Sequence, residues 1–330
     1  MIKPDKIIEM ASAFYESCVL FSSCDLGVFA KLAELGQADA KTLAGELKMN
    51  ERGARLLLDA CASLDLIEKD GDFYKNTQES QIFLVPGSPG DLSGAIRYNR
   101  DVYAAWGKLK DLVMTGKPVE KPELHLGADP ERTRTFVLSM HYRALGIGQA
   151  VVPLLDFSGC KTILDVGGGP GTYSVLIARA NPDARCTVLD LPEVAKIADE
   201  LIEQQGMADR VKTLPGSYRD LTFPEGNDAV NFFGVLHQES PESIAALFKK
   251  AYDSLNDGGV IHVMDMMTDY THTRPKFSAL FAVNMALTTE DGWVFSDAQI
   301  KGWLSDAGFT DLNVTPLPKP MPHWLVTGKK

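Results

Sequence analysis

The sequence is poor in cysteine and in positive charge, and each shortage excludes a class of protein. Its five cysteines are odd in number and scattered, with no CxxC pair and no cysteine–histidine cluster. This placement argues against a disulfide framework and against a zinc site. Asp and Glu number 44 against 33 Lys and Arg, and the net charge of -11 disfavours non-specific binding to nucleic acid or anionic lipid.

Signals for export and membrane insertion are also lacking. The N-terminal "MIKPDKIIEM" has no apolar core of a signal peptide. We expect no apolar run that approaches the ~20 residues needed to span a bilayer. The sequence therefore predicts a cytoplasmic protein that has neither a membrane nor a nucleic-acid partner.

Residues 1–100 predict short helices followed by one hairpin. The run "IIEMASAFYESCVLFSSCDLGVFAKLAE" has apolar residues at helical spacing. Two further helices, "DAKTLAGELKM" and "NERGARLLLDACASLDL", open on an Asp or Asn cap. Two short strands in "LIEKDGDFYKN" flank an Asp70-Gly71 turn. Helix, helix and hairpin in this order suggest a winged helix-turn-helix domain.

Residues 101–330 predict a second domain of the α/β class, in which residues 101–150 are a helical connector. From Lys161 onward, strand-like runs alternate with helical ones, which is typical of a parallel, doubly wound sheet. The predicted strands are Thr162–Val166, Cys186–Leu189, Val211–Leu214, Ala229–Phe233 and Val260–Met264. In "SDAQIKGWLSDAGF", Ser296 and Gln299 have the spacing of a helix capping box. Two more strand-like runs, "DLNVTPL" and "HWLVTG", end the chain.

A glycine-rich loop, "ILDVGGGPGTY", follows the first of these strands and opens a helix. Backbone N–H groups at such a helix start can face a ligand. The loop has no lysine after Gly171, which excludes a P-loop, and its spacing is G-x-G-x-G rather than the G-x-G-x-x-G of dinucleotide folds. Asp190 ends the next strand. Both dinucleotide-binding folds and S-adenosylmethionine-binding folds use an acid at that position to bond ribose hydroxyls. A tight turn without a ligand is the remaining interpretation of the loop alone.

The surrounding motifs carry a family resemblance. In chain order they are "LDVGGGPGTYSVLIARANPDARCTVLDLPEV", "ADRVKTLPGSY", "NDAVNFFGVLHQESPE", "LNDGGVIHVMD" and "LSDAGF". Together they resemble the S-adenosylmethionine (SAM)-dependent O-methyltransferases of small molecules, such as caffeate, acetylserotonin and polyketide O-methyltransferases. The resemblance implies a Rossmann-like class I methyltransferase domain with a seven-stranded sheet whose last strand is antiparallel. It also implies a winged-helix front domain that forms a homodimer and covers part of the partner's pocket.

The resemblance implies a cofactor site for SAM, with S-adenosylhomocysteine as product and no metal. It places Asp165, Gly167 and Gly169 at the methionine end of SAM, Asp190 at the ribose and Leu191 on the adenine. Ser217, Tyr218 and Phe233 are also assigned to this site. The family usually has an Asp where Ser217 stands, so cofactor affinity is expected to be weaker here, although Tyr218 keeps a packing surface.

The catalytic residues implied by the resemblance are His237 and Asp265. His237 lies just past a predicted strand, where open α/β sheets bind ligands, and a histidine suits a general base near neutral pH. Asp265 ends the strand "VIHVMD" and matches the acid that orients the histidine. Two positions depart from the family pattern: Val294 replaces a second acid, and Gln238 replaces an Asp. The base is therefore expected to be held by one acid rather than two.

An acceptor pocket should combine apolar walls with a few polar groups. The candidate residues for it are Met140, His141, Arg143, Phe281, Asn284, Met285 and Trp293. His141 and Arg143 could meet a polar or anionic substituent of the acceptor, or could belong to a solvated helix face. We interpret His125, His262, His272 and His323 as structural or surface residues.

Other functions remain open at this point. Because one acid is missing, a carbon or sulfur nucleophile, or a reaction in which SAM is a spectator, is possible on the same fold. A winged-helix DNA-binding regulator is disfavoured, since the helix "NERGARLLLDACASL" has no basic face. An NAD-dependent oxidoreductase would share the strand–glycine loop–helix arrangement, and a fold does not fix a function.

Overall fold

The computed structural model describes residues 2–88, 90–121, 127–319 and 321–330. The chain forms two compact units, Met1–Arg100 and Asp101–Lys330. In the described residues of the first unit, the helices are α1 (Asp5–Ser12), α2 (Phe14–Asp25), α3 (Val28–Leu35), α4 (Ala40–Glu46), α5 (Glu51–Ser63) and α6 (Gln78–Phe83). Its strands are β1 (Ala38–Asp39), β2 (Ile67–Asp70) and β3 (Phe73–Asn76), in the sheet order β1-β3-β2.

Side-chain caps begin the two helices that precede the hairpin. Asp39 accepts a hydrogen bond from Thr42 N at 2.7 Å, and Asn50 accepts one from Gly53 N at 3.1 Å. Each bond satisfies a backbone donor that has no partner within its helix. With β2 and β3 paired in an antiparallel hairpin, the predicted winged-helix order is confirmed.

The first run predicted to be helical is divided in the structure into α1, α2 and α3. The main break is at Gly27, whose φ of +73° places it in the left-handed region between α2 and α3. That conformation costs a glycine little and a β-carbon-bearing residue considerably more. The side chains of this first unit that are buried in its core include Phe29, Leu32 and Leu58.

The expectation that no apolar run approaches the length of a membrane span is also wrong. The segment Asp5–Asp25 is 21 residues long with a mean hydropathy of 1.2, so length and composition alone would let it cross a membrane. Only 6% of its most apolar 18-residue window is buried within the chain, although Val19 and Leu20 pack against the core of this unit. The exposed apolar side chains, such as Ile7, Ile8 and Met10, remain available for contacts outside the fold of one chain.

The second unit contains the remaining elements of the described chain. Its helices are α7 (Ser93–Trp106, which contains the boundary between the units), α8 (Leu109–Thr115), α9 (Pro130–Val151), α10 (Thr172–Ala180), α11 (Pro192–Gln204), α12 (Pro241–Ser254), α13 (Lys276–Thr288) and α14 (Asp297–Asp306). Its strands are β4 (Thr162–Val166), β5 (Arg185–Asp190), β6 (Val211–Pro215), β7 (Asn227–Phe233), β8 (Leu255–Met266), β9 (Thr310–Pro316) and β10 (His323–Lys329).

These strands form one seven-stranded sheet in the described residues, in the order β6-β5-β4-β7-β8-β10-β9. The pairs from β6 to β8 are parallel, whereas β10 runs antiparallel to both of its neighbours. The predicted seven-stranded sheet with an antiparallel last strand is thus confirmed. The predicted capping box is also present, since the Ser296 and Gln299 side chains each bond the other's backbone.

Successive side chains along each strand point to opposite faces of the sheet, so the core consists of two apolar layers, one on each face. Leu164, Phe232 and Val263 pack with α12 and α14, whereas Ile163, Val188 and Met264 pack with α10 and α11. The strand order reverses between β4 and β7. The chain places β5 and β6 on one side of β4, and then places β7 and the later strands on the other side. Ligands of open α/β sheets bind at the carboxyl ends of strands around such a switch point.

Candidate active site

The glycine loop between β4 and α10 requires glycine for its shape. Gly167, Gly169 and Gly171 have φ values of +65°, +54° and +71°. A β-carbon on Gly167 would also lie 2.5 Å from Val235 Cγ2, whereas one on Gly169 would meet nothing within 4 Å. Gly167 therefore permits both the turn and the close approach of the chain after β7, and the backbone at Gly169 faces open space.

Asp190 at the end of β5 is hydrogen-bonded to this loop. Its Oδ2 accepts from Gly169 N at 2.8 Å, and its Oδ1 accepts from Leu191 N at 2.7 Å. Burial raises the pKa of Asp190 to about 6, although the two N–H donors oppose the shift. Each carboxylate oxygen has a second lone pair for a ligand hydroxyl, so the residue can accept from two neighbouring ribose oxygens.

Asp165 lies within β4 and is fully buried. Its Oδ2 accepts from Ser174 Oγ at 2.7 Å, but its Oδ1 has no hydrogen-bond partner. Burial is the main cause that raises its pKa to about 7, and the nearby Asp190 carboxylate adds to the shift. A buried carboxylate oxygen without a partner is costly. The orphaned oxygen therefore fits the positively charged amino group at the methionine end of SAM.

Tyr218 lies beside the glycine loop, with its Cε1 3.4 Å from the point that a β-carbon on Gly167 would occupy. Its hydroxyl donates to Glu239 Oε1 at 2.7 Å and accepts from Gln238 Nε2 at 3.1 Å. Burial raises the pKa of this tyrosine well above 10. The neutral ring is thus fixed in place by the segment that follows β7.

Glu239 is the buried centre of this network, and no pattern in the sequence predicts that role. Arg219 donates to its carboxylate through Nε at 2.9 Å and Nη2 at 2.9 Å, and the Ser243 hydroxyl donates to it as well. The guanidinium is 53% exposed, whereas the carboxylate is completely buried. Buried charges of this kind are retained when they are fully paired, and this pairing fixes the loop that carries Tyr218 to the loop that carries His237.

Leu191 and Phe233, both predicted at the cofactor, have clear packing roles. Leu191 packs against an apolar cluster between α9 and α11 that includes Val137 and Val194. Phe233 is 6% exposed and makes an edge contact with Tyr173, with 5.2 Å between ring centroids. Contact with an adenine stays a prediction for Leu191, and contact with the cofactor stays one for Phe233.

His237 and Asp265 are brought together as the sequence predicted them to be. His237 lies in a short 3₁₀ turn after β7, and its Nδ1 is 2.7 Å from Asp265 Oδ1. Asp265 is buried at the end of β8 and also accepts from the backbone N–H groups of Leu236, His237 and Met266. All four partners are therefore donors to the carboxylate, provided that the imidazole carries its proton on Nδ1.

This arrangement leaves Nε2 of the neutral imidazole as an acceptor. The ring makes an edge contact with Phe281 at 5.1 Å between centroids, and the carbonyl of His237 accepts from Trp293 N at 2.9 Å. Val294, next to that tryptophan, is buried among Met266, Phe281 and Met285. In the part of the chain that the structure describes, Asp265 is the one carboxylate in contact with His237, and Phe281 packs against the imidazole ring.

The candidates for the acceptor pocket lie in different environments. Met140 is partly buried on α9, and Met285 belongs to the apolar cluster around Val294. His141 Nδ1 lies 2.7 Å from Thr172 Oγ1, which places it at the start of α10, and burial lowers its pKa. Asn284 accepts from Trp106 Nε1 at 2.8 Å.

Trp293 is also a candidate, but its indole N–H donates to the carbonyl of Glu239 at 3.0 Å, and its ring packs against Trp303. Two of the remaining histidines are buried, and His125 lies outside the residues that the structure describes. His262 pairs with Asn231 at 3.0 Å, as expected of a structural residue, whereas His323 is buried near His237 and has an unpartnered Nδ1. Among residues 2–88, 90–121, 127–319 and 321–330, no group of three or more His, Cys, Asp or Glu side chains is arranged to hold a metal ion.

Comparisons with known proteins agree with this geometry. A profile of the O-methyltransferase domain matches residues 106–310, and one of the O-methyltransferase dimerisation domain matches residues 8–86. The 3-hydroxy-5-methyl-1-naphthoate 3-O-methyltransferase of Streptomyces sahachiroi is 29% identical over 99% of this chain and 95% of its own. The tetracenomycin polyketide synthesis 8-O-methyl transferase of Streptomyces glaucescens is 30% identical over 99% of this chain and 97% of its own.

A solved structure extends the agreement to three dimensions. Human N-acetylserotonin methyltransferase in complex with SAM superposes on the chain with a TM-score of 0.90 at 26% identity, covering 100% of this chain and 98% of that one. The family profile spans most of the sequence, and the relatives share nearly its whole length. On these grounds the chain belongs to the SAM-dependent O-methyltransferases of small molecules.

Proposed function

We propose that this enzyme transfers the methyl group of SAM to a hydroxyl of a small aromatic acceptor, with His237 as the general base. The observation that carries the proposal is the 2.7 Å contact between His237 Nδ1 and the buried Asp265. This contact favours the tautomer that carries its proton on Nδ1, in which the free Nε2 can accept a proton. The printed names of the two Streptomyces relatives, a hydroxynaphthoate and a polyketide O-methyltransferase, support an aromatic hydroxyl.

The residues around the glycine loop would hold the cofactor. Asp165 would pair its orphaned oxygen with the ammonium of the methionine moiety, and Asp190 would accept from the ribose hydroxyls. Leu191 and Tyr218 would cover the adenine, while Ser217 offers no carboxylate to the adenine amino group. When bound, SAM supplies a methyl carbon attached to a sulfonium, which an acceptor oxygen can displace with release of S-adenosylhomocysteine.

His237 would take the proton of the acceptor hydroxyl on Nε2 as the oxygen–carbon bond forms. Asp265 would stabilise the imidazolium that results without accepting the proton itself. A positioned base contributes roughly 10²–10⁴-fold to such a rate, and the orientation of the reactants contributes further. Because Val294 provides no second carboxylate, we expect an acidic phenol to be methylated faster than an aliphatic alcohol.

The cofactor part of this proposal is tested by Asp190→Ala. Loss of a carboxylate that accepts from two hydroxyls should weaken S-adenosylhomocysteine binding by at least about tenfold, since hydrogen bonds to charged groups are worth about 1.5–3 kcal/mol. Calorimetry measures this, and Asp183→Ala, at an exposed position in the turn between α10 and β5, is the control. Binding of NAD in place of S-adenosylhomocysteine would contradict the proposal.

The acceptor part is tested with radiolabelled SAM over panels of phenols, thiols and polyketides. Label on a phenolic oxygen supports the proposal. Label on carbon or sulfur, or consumption of an acceptor without transfer of label, would instead identify a C- or S-methyltransferase or an enzyme that uses SAM as a spectator.

We further propose that the enzyme is a cytoplasmic homodimer, with residues 1–100 as a dimerisation domain and residues 101–330 as the methyltransferase domain. The support is the exposed apolar side chains of α1 and α2, which include Ile7, Ile8, Met10 and Phe14. Large exposed apolar patches mark interaction sites. Light scattering of the full chain should give twice the mass of one chain, and Ile8→Glu should lower it to one. A wild-type monomer at micromolar concentration would contradict the dimer.

A further inference from the structure

The short 3₁₀ turn that carries His237 depends on its neighbours for its shape. It spans Leu236–Gln238, and a turn of this length has little stability of its own. Asp265 accepts from the first two N–H groups of the turn, and Trp293 N donates to the carbonyl of His237 at 2.9 Å. The direction in which the imidazole points is therefore decided by the contacts that fix this turn.

Glu239 follows the turn directly and connects it to the segment after β6. Its N–H donates to the carbonyl of Leu236 at 3.0 Å, and its own carbonyl accepts from the indole N–H of Trp293 at 3.0 Å. Its carboxylate accepts from the Tyr218 hydroxyl at 2.7 Å and from Arg219 Nε at 2.9 Å. The backbone of Glu239 thus closes the turn, while its side chain holds the turn against Tyr218.

Tyr218 lies between the glycine loop and this turn. Its hydroxyl contacts both residues that follow His237, since it accepts from Gln238 Nε2 at 3.1 Å and donates to Glu239. Its Cε1 lies 3.4 Å from the point that a β-carbon on Gly167 would occupy. One tyrosine therefore contacts the proposed cofactor loop with its ring and the segment of the proposed base with its hydroxyl.

Stability alone does not account for a carboxylate in this place. Glu239 is completely buried, and burial of a charge has a desolvation cost that a well-packed apolar side chain would not incur. A bonded carboxylate adds direction instead, because hydrogen bonds hold their partners within narrow limits of distance and angle. The network therefore fixes the position of the segment next to His237 more closely than apolar packing would.

We propose that Glu239 is a positioning residue for the methyl transfer. Through Tyr218 it holds the turn in the place where His237 Nδ1 meets Asp265, so that Nε2 is presented to the acceptor hydroxyl. This inference rests on the proposed function and adds a residue that touches neither the cofactor nor the acceptor.

Two substitutions alter this contact and retain most of the side chain. Glu239→Gln replaces one acceptor oxygen by an NH₂ donor, although the partners of the carboxylate named above donate to it. Tyr218→Phe removes only the hydroxyl and retains the ring. Because the Arg219 guanidinium is half exposed, water can solvate it, and both variants should fold. The matched controls on α12 are Glu242→Gln, at an exposed position, and Tyr252→Phe, whose ring packs against Phe309.

The first experiment needs no acceptor. Nuclear magnetic resonance of isotope-labelled imidazole nitrogens, in the complex with S-adenosylhomocysteine, reports which nitrogen of His237 carries the proton; the signals are identified by their loss in His237→Ala. We expect Nδ1–H in the wild type and in both controls. Glu239→Gln and Tyr218→Phe should move part of the proton to Nε2, because a displaced turn lengthens the bond to Asp265 that favours Nδ1.

The second experiment compares two phenols in single-turnover transfer of labelled methyl. The probes are 1-naphthol and 4-nitro-1-naphthol, at a pH where only the nitro compound is ionised. Glu239→Gln should lower the rate on 1-naphthol by about 10–100-fold, as expected of a misplaced reacting group. The rate on the nitro compound should fall much less, because an ionised oxygen needs no base. Affinity for S-adenosylhomocysteine, measured by calorimetry, should stay close to that of the wild type.

Unchanged protonation of Nδ1 in both variants would overturn the inference. Weaker binding of S-adenosylhomocysteine without a change of tautomer would overturn it too, because Glu239 would then serve the cofactor site alone. Equal slowing of both phenols by Glu239→Gln is the third contrary result, since a misplaced base must spare the acceptor that needs none. Failure of the proposed function differs from all of these: the wild type itself would transfer no label to either phenol, and the tautomer measurement would still decide the role of Glu239.

Discussion

Replacement of Asp265 by asparagine tests the proposed base more sharply than deletion of the histidine does. Asp265 receives four N–H donors: Oδ1 accepts from His237 Nδ1 and Met266 N, both at 2.7 Å, and Oδ2 accepts from Leu236 N at 3.1 Å and His237 N at 3.3 Å. Asparagine has the same shape but only one acceptor oxygen. Its amide must therefore direct an NH₂ group at one of these two pairs of partners.

The two amide orientations have different costs. With the NH₂ toward Leu236 and His237, two buried backbone N–H groups lose their acceptor, at about 1–3 kcal/mol each. With the NH₂ toward Met266 and the imidazole, only one backbone donor is left unsatisfied, because Nδ1 can give up its proton and accept. The second orientation is therefore preferred. It moves the imidazole proton to Nε2, where the ring can no longer take a proton from the acceptor.

We therefore expect Asp265→Asn to lower kcat by about the same 10²–10⁴-fold as His237→Ala, the range attributed to a positioned base. The double variant should be no slower than either single variant, since both changes remove one function. Single-turnover transfer of labelled methyl to a phenol measures the rates. Calorimetry with S-adenosylhomocysteine verifies that the cofactor site is intact.

Asp269→Asn is the matched control, because that carboxylate also accepts from backbone N–H groups but does not touch His237. It should transfer methyl at the wild-type rate. An Asp265→Asn enzyme within about threefold of wild type, a difference of roughly 0.7 kcal/mol in activation free energy, would refute the reasoning. In that case the reaction would proceed by orientation of an already ionised acceptor.

Two further predictions concern the cofactor loop. The pKa of Asp165 is raised to about 7 in the fold, so its ionisation destabilises the ligand-free protein above pH 7 and not below about pH 4. Asp165→Asn should therefore increase the free energy of unfolding by on the order of 3 kcal/mol at pH 8 and give no gain at pH 4. Denaturant titrations at both pH values measure this, and an equal gain at both would contradict it. The same substitution should weaken S-adenosylhomocysteine binding. Gly169→Ala should lower the free energy of unfolding by about 1–2 kcal/mol, because alanine disfavours the left-handed φ of that position. Gly167→Ala should lower it by about 1–3 kcal/mol more, because its β-carbon would also lie 2.5 Å from Val235 and overpack the site. Equal unfolding free energies for the two variants would count against the described loop.

Strands and helix caps that depend only on residues close together in the sequence could be predicted from it. Strand β4 has the predicted bounds, because a short and mostly apolar run between Lys161 and a glycine loop is typical of a buried parallel strand. The caps at Asp39 and Asn50 and the box at Ser296 depend on bonds between residues three apart, which the sequence displays directly. Strand β8 is longer than predicted, beginning at Leu255, since pairing with β7 at Leu255 and again at Val260 extends it through a polar and glycine-containing stretch.

Residues whose roles depend on distant partners could not be predicted in the same way. Glu239 is two positions from His237 in the sequence, yet its carboxylate is held by Tyr218 and Arg219, about twenty residues earlier. Nothing in "LHQESPE" distinguishes a buried acid from an exposed one. The pairing exists only because β6 and β7 end at the same edge of the sheet, so that the segments following them meet there.

His323 shows the same limit at the edge of the sheet that carries Asp265. In the sequence it begins an ordinary C-terminal strand, 86 positions after His237, and that position alone predicts a structural or surface residue. The antiparallel return of β10 places it against Met266 and beside the strand position of Asp265. A strand that enters a parallel sheet in reverse brings its first residue, rather than its last, to the edge where ligands bind. The last strand of the chain therefore places a polar group at this edge of the sheet, and only the sheet order reveals it.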